Sequence, residues 1–130
     1  GYIWEPSRHE ARGAEYATSI LTEMKFPKAK ISLITGMIMA TKIPQSPKNH
    51  VEQIICDADL DYLGRDDYAS NSDSLLKEIE LVKKLKPKEW LQIQEKFLKA
   101  HAYFTATSIK LRNKSKQKTL ENIQQQLKIK

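Results

Sequence analysis

Three carboxylates stand on alternate residues in Cys56-Asp57-Ala58-Asp59-Leu60-Asp61-Tyr62-Leu63-Gly64-Arg65, directly after an apolar series at Val51, Ile54, Ile55 and Ala58. The series has helical spacing and predicts a helix that buries those four side chains. On such a helix Asp59 lies beside the buried stripe, four residues after Ile55. Asp57 points elsewhere, because residues two apart do not share a helix face. A carboxylate at the edge of an apolar face is costly unless a cation meets it. A metal ion would meet that need, and so would an Arg or Lys from a neighbouring helix.

The chain has three histidines, His9, His50 and His101. His101 stands on an apolar stripe with Trp90, Phe97 and Phe104, where a hydrogen-bonded core residue is expected. His50 follows Asn49, a good helix cap, and reads as a solvated first-turn residue. Lys42 and Arg65 are cations close in sequence to the carboxylates, one in a loop and one after a helix stop. Loop cations can reach a substrate phosphate without burying their charge, or can remain solvated surface charges.

The carboxylate segment resembles the last motif of the HD superfamily of metal-dependent phosphohydrolases, in which an Ala-Asp pair late in a helical domain supplies the final metal-binding carboxylate. By that resemblance Asp59, between Ala58 and Leu60, is the ligand. Asp57, Asp61 and Leu63-Gly64-Arg65 resemble a longer form of the motif found in one branch of the family. Upstream, Ser7-Arg8-His9-Glu10-Ala11-Arg12-Gly13-Ala14-Glu15-Tyr16-Ala17 is similar to the helix that follows the family's His-Asp pair. A His opens that helix in binuclear members, and His9 matches it. Met39-Ala40-Thr41-Lys42-Ile43-Pro44 stands where those members carry a further His, and none is present.

The chain also departs from the family pattern: it contains no His-Asp dipeptide. Gly1-Tyr2 resembles the residues that follow that pair, so the resemblance implies an HD domain whose first helices are missing and whose metal site is incomplete. It further implies a divalent metal (Mn, Fe, Co, Ni, Zn or Mg) held by Asp59 and His9. Asp57 would orient ligands or water, and Lys42 and Arg65 would neutralise phosphate. The implied substrate is a phosphorylated small molecule, such as a nucleotide or cyclic nucleotide. The competing reading is a non-catalytic helical module, derived from an HD fold and used for protein contact or regulation.

The breakers fall between periodic runs and outline the elements that position these residues. Ser7-x-x-Glu10 is a capping box for a helix to about Met24 that buries Ala14, Ala17, Leu21 and Met24. Pro27 opens a second helix carrying Ile31, Leu33, Ile34, Met37 and Ile38 to about Ala40. Thr41 to Asn49 holds two prolines and reads as a loop. Asn49 caps a third helix that ends near Leu63, with Gly64 as its stop.

Arg65 to Asn71 reads as irregular. A fourth helix follows Ser72 or Asp73 and buries Leu75, Leu76, Ile79, Val82 and Leu85. After Lys86-Pro87-Lys88 no Gly or Pro occurs, which predicts one long helix or two end to end. Trp90, Ile93, Phe97, His101 and Phe104 line its buried side, widened by Leu91, Leu98 and Tyr103. The expected class is all-α, an HD-like bundle of one structural domain. Residues 1–66 would form the partial metal-site region, and 67–130 would form helices packed on it.

Composition sets the remaining bounds. With 130 residues, 40% hydrophobic and 29% charged, a single domain with a modest core is expected. Cys56 is the only cysteine, so no disulfide framework can form, and a reducing, cytoplasmic compartment is expected. No apolar run approaches the roughly 18 residues of a membrane span. The net charge is +6, and seven basic residues against one acid, Glu121, lie between Thr107 and Lys130. Such a tail can bind phosphates or form a solvated helix face. It has no aromatic interleaving beyond Tyr103 and Phe104, so nucleic acid is not expected as a partner. A homo-oligomer is compatible with the sequence.

Overall fold

The computed structural model describes residues 8–129, which form an all-α chain with no strand among them. Among the described residues no helix is long and apolar enough to cross a membrane. The chain divides into two compact units, Gly1–Asp59 and Leu60–Lys130. The boundary thus falls inside the carboxylate-rich segment.

The first unit holds α1 (His9–Glu23), α2 (Lys28–Ala40) and α3 (His50–Asp59). The Ser7 half of the expected capping box lies outside the described residues. α1 ends in a Schellman turn, in which the Phe26 N–H donates to the Leu21 carbonyl and the Lys25 N–H to that of Thr22. Lys25 takes the left-handed conformation there, with φ of 60°. The turn folds α2 back against α1, and Ile38 Cγ2 comes within 3.6 Å of where a Gly13 Cβ would stand. Met24, expected inside, is exposed at the turn.

α3 departs most from expectation. Val51 is 40% and Ile54 50% exposed, and Ala58 is exposed too. The buried residues are Glu52, Cys56 and Asp57. Polar contacts with the preceding loop set this orientation. Asn49 Oδ1 caps the Glu52 N–H at 2.9 Å, and Glu52 reaches back to Asn49 Nδ2 (2.6 Å) and the Lys48 N–H (3.3 Å). Cys56 Sγ donates to the Ala40 carbonyl at 3.3 Å, while Gln45 Nε2 donates to the Cys56 carbonyl at 3.1 Å. The helix therefore turns its capping and thiol side inward and leaves its aliphatic side out. Burial, reinforced by Asp59, Asp57 and Glu52, pushes the Cys56 thiol up to about 11. It is a packed group and not a nucleophile.

The second unit begins with a 3-10 turn, Asp61–Gly64, where a continuation of α3 was expected. α4 (Tyr68–Glu80), α5 (Pro87–Ala100) and α6 (Ala106–Ile129) follow. α4 starts a turn earlier than Ser72 and stops before Val82, which is exposed. The core is Leu60, Leu63, Leu91, Leu98 and Ile123, with Tyr62, Tyr68, Phe97, Leu120 and Leu127 packed against it. On α5 the buried set is Trp90, Leu91, Gln94 and Leu98, so Ile93 faces outward.

The segment after Lys88 is broken into two helices without any Gly or Pro. His101 leaves the helix in an extended conformation, φ −75° and ψ 138°. Lys116 Nζ donates to the His101 carbonyl at 2.6 Å, satisfying the end of α5 with a cation. Thr105 Oγ1 then accepts the Ser108 N–H at 3.2 Å and caps α6. Between them the Tyr103 hydroxyl donates to the Leu60 carbonyl at 2.9 Å.

Gly64 has no positive φ, so it is not a left-handed helix stop. A Cβ there would lie 2.6 Å from both Cβ and the carbonyl oxygen of Arg112 on α6. The residue is a glycine because the 3-10 turn lies directly against the backbone of α6.

Candidate functional site

The first unit brings His9, Glu10 and Asp59 into mutual electrostatic range. His9 opens α1 and Asp59 closes α3. His9 Nε2 lies 2.9 Å from Glu10 Oε1, and Glu10 is buried. Partial burial raises the Asp59 carboxyl above the ordinary carboxylate range; His9 pulls it down, and Glu10 pushes it further up. The last turn of α3 adds the partial negative charge of a helix C-terminus, which also disfavours the anion. Asp59 remains exposed as a residue, and no cationic side chain forms an ion pair with it among the described residues.

The other residues singled out in the sequence are placed as follows. Asp57 is 3% exposed and engaged in the interior of the first unit. Lys42 is exposed and lines a small cavity of about 320 Å³ with Gly36, Pro44, Ser46 and Glu52. Arg65 belongs to the second unit, where it grips Asp67 through Nε at 2.9 Å and Nη2 at 2.5 Å and reaches Asp61 at 3.5 Å. That pairing holds the Asp67 carboxyl down at about 2. His50 is exposed at the start of α3. His101 packs 4.5 Å edge-on against Tyr103, and its Nδ1 lies 3.1 Å from Lys116 Nζ. An ammonium has only donors, so in this contact Nδ1 is the acceptor.

Several participants escaped the sequence reading. Glu10 has the sequence signature of a capping residue, although its place beside His9 is visible in the sequence. Glu52 stands three residues after the cap Asn49, the spacing of a capping box. Asp61 is held by Arg112, with Nε to Oδ1 at 2.7 Å and Nη2 to Oδ2 at 3.2 Å. That contact lowers its pKa, with a smaller contribution from Arg65. Nothing local in the sequence signals a pair 51 residues apart.

Among the described residues no group of three or more His, Cys, Asp or Glu side chains is arranged to hold a metal ion. Two donors of suitable chemistry, His9 and Asp59, share one unit with a buried Glu beside the imidazole. Comparison with protein-family models, with curated proteins and with solved structures gives no match.

Proposed function

We propose that this chain carries part of the metal site of an HD-type phosphohydrolase acting on a phosphorylated small molecule, a nucleotide or cyclic nucleotide being the form the resemblance favours. The observation that carries the reading is the state of Asp59. Its carboxylate is disfavoured by burial and by Glu10, has no cationic partner among the described residues, and is relieved in part by His9. A divalent cation satisfies that arrangement.

In this reading Asp59 and His9 are ligands, and Glu10 holds the imidazole in orientation. Asp57, buried two residues before the ligand, keeps a ligand or water in place. Lys42 is the cation of this unit assigned to phosphate, whereas Arg65 belongs to the second unit and is held by Asp67. When bound, the metal would orient the ester and lower the pKa of a water molecule. Two donors do not complete a coordination shell, so the remaining ligands would come from outside the described residues.

Thermal melts with and without Mn on wild type, Asp59→Asn and Asp57→Asn test the assignment. The 130-residue chain should bind metal weakly and show little or no phosphodiesterase or nucleotidase turnover. A small Mn-induced rise in melting temperature should vanish in Asp59→Asn and persist, reduced, in Asp57→Asn. A rise that survives Asp59→Asn would defeat the ligand assignment. An absent rise in wild type would favour the non-catalytic module. Robust turnover lost in Asp59→Ala would mean that fewer ligands suffice than the reading requires.

A further inference from the structure

The excess positive charge of the chain belongs wholly to one unit. Gly1–Asp59 holds seven basic and seven acidic residues, whereas Leu60–Lys130 holds 15 basic and nine acidic ones. Within α6 the basic residues before Glu121 sort into two sets. Arg112 and Lys116 turn inward, one onto Asp61 and the other onto the His101 carbonyl and the face of Tyr103. Lys110, Lys114 and Lys118 are exposed, stand four residues apart on one stripe, and take part in no ion pair among the described residues. Like charges at this spacing weaken a helix, and Glu121 is the only acid on α6.

The row continues beyond α6. Lys118 lines a cleft of about 650 Å³ together with Leu85 and Pro87. Those two residues alternate with Lys84, Lys86 and Lys88 in the α4–α5 connection, and with Lys83 all four lysines are exposed. Seven exposed lysines thus stand on two segments, α6 and the α4–α5 connection, that border one cleft through Lys118, Leu85 and Pro87, and together they make up a basic track. Asp66, Asp73 and Glu80 line the same cleft, so its interior repels an anion that the exposed lysines attract.

We propose that this track binds the phosphate backbone of duplex nucleic acid without reading its sequence. The α6 row is about 12 Å long, and over that length a duplex presents about seven charges. The aromatic rings of this unit are turned inward: Trp90 and Tyr103 are buried, and Tyr62, Tyr68, Phe97 and Phe104 are partly buried. No stacking platform accompanies the lysines, which disfavours a single strand. The apolar residues Leu120, Ile123 and Leu127 of α6 face the core. Its exposed apolar residues, Ile109, Leu111 and Ile129, are two residues apart or at opposite ends of the helix and form no continuous outward face of the kind that insertion into a lipid surface requires.

The test is fluorescence anisotropy of the full chain with a short mixed-sequence duplex, as DNA and as RNA, between about 50 and 200 mM salt. Lys110→Gln/Lys114→Gln/Lys118→Gln should weaken binding about tenfold or more and lower the slope of log K against log salt by about 2.7. Lys28→Gln/Lys30→Gln, in the first unit, should change neither. Asp73→Asn/Glu80→Gln should tighten binding. Circular dichroism checks that each variant is folded, since Gln is as good a helix former as Lys. An unchanged slope in the triple variant overturns the proposal. So does tighter binding to the matching single strand, or to vesicles containing anionic lipid. Preference for one duplex chemistry over the other names the ligand.

Discussion

Asp59 and Asp61 are the same residue type two positions apart, yet the two units treat them oppositely. Asp61 accepts two hydrogen bonds from Arg112 and a longer one from Arg65, and its carboxyl is held below the ordinary range. Asp59 has a His at a distance and a buried Glu nearby, and its carboxyl is held above that range. The wider units differ in the same sense. The second has a core of large aliphatic side chains with a compensated ion pair at its edge. Among the described residues of the first, the buried apolar ones are Ala40 and Cys56, and they share the interior with Glu10, Glu52 and Asp57. The described part of that unit encloses carboxylates, leaves Val51, Ile54 and Met39 exposed and only half-buries the apolar residues Leu21, Ile31, Ile34 and Ile38. The ion pair of Asp61 is structural, and Asp59 is the carboxylate to which the proposed function assigns a cation.

The largest expected effect lies in the second unit. Gly64→Ala drives a methyl group into the α6 backbone at Arg112, where no flexible side chain can yield. A loss of about 3 kcal/mol or more is expected, read by urea denaturation. A variant as stable as wild type would mean that the turn and α6 are farther apart than described.

Next in size is the contrast between the carboxylates. Asp61→Asn should cost about 1 kcal/mol at pH 7, since the pair is partly exposed and salt-screened. The lowered carboxyl pKa gives the sign: the contribution is complete above the unfolded value of about 3.9 and is lost as pH falls through the lower folded value. Asp59 runs the other way. Its raised pKa means that metal-free stability falls as pH rises from about 3.9 through the folded value. Asp59→Asn should therefore be as stable as wild type, or slightly more so, above that window. Denaturant midpoints from acid to neutral pH would sharpen the comparison if the two variants diverge, and break it if they move together.

The helical class could be read from the spacing of apolar residues and the placement of Pro and Gly, and α2 matched its expected bounds. What the sequence left hidden was set by polar contacts at a distance or across a cap. Apolar spacing pointed to Val51, Ile54 and Ala58 as the inner face of α3, but Asn49, Glu52 and Cys56 fixed the opposite rotation. The break at His101 depends on Lys116, 15 residues away, with no local breaker to betray it. In the candidate site, His9 and Asp59 were legible as residue types at suggestive places. The burial of Glu10 beside them was not.

The smallest expected effect is at the end of α1. Lys25→Gly relieves a left-handed residue within an intact Schellman turn and should stabilise the first unit by about 0.5 to 1 kcal/mol. A loss of stability would mean that the Lys25 side chain contributes packing that outweighs its backbone strain.

The most direct test of the contrast is paramagnetic broadening of backbone amide resonances in the isotopically labelled chain by substoichiometric Mn. Broadening should be strongest at His9, Glu10 and Asp59, and should disappear there in Asp59→Asn. Broadening centred on Asp66, Asp67 and Asp73 in the second unit, or left unchanged by Asp59→Asn, would contradict the account.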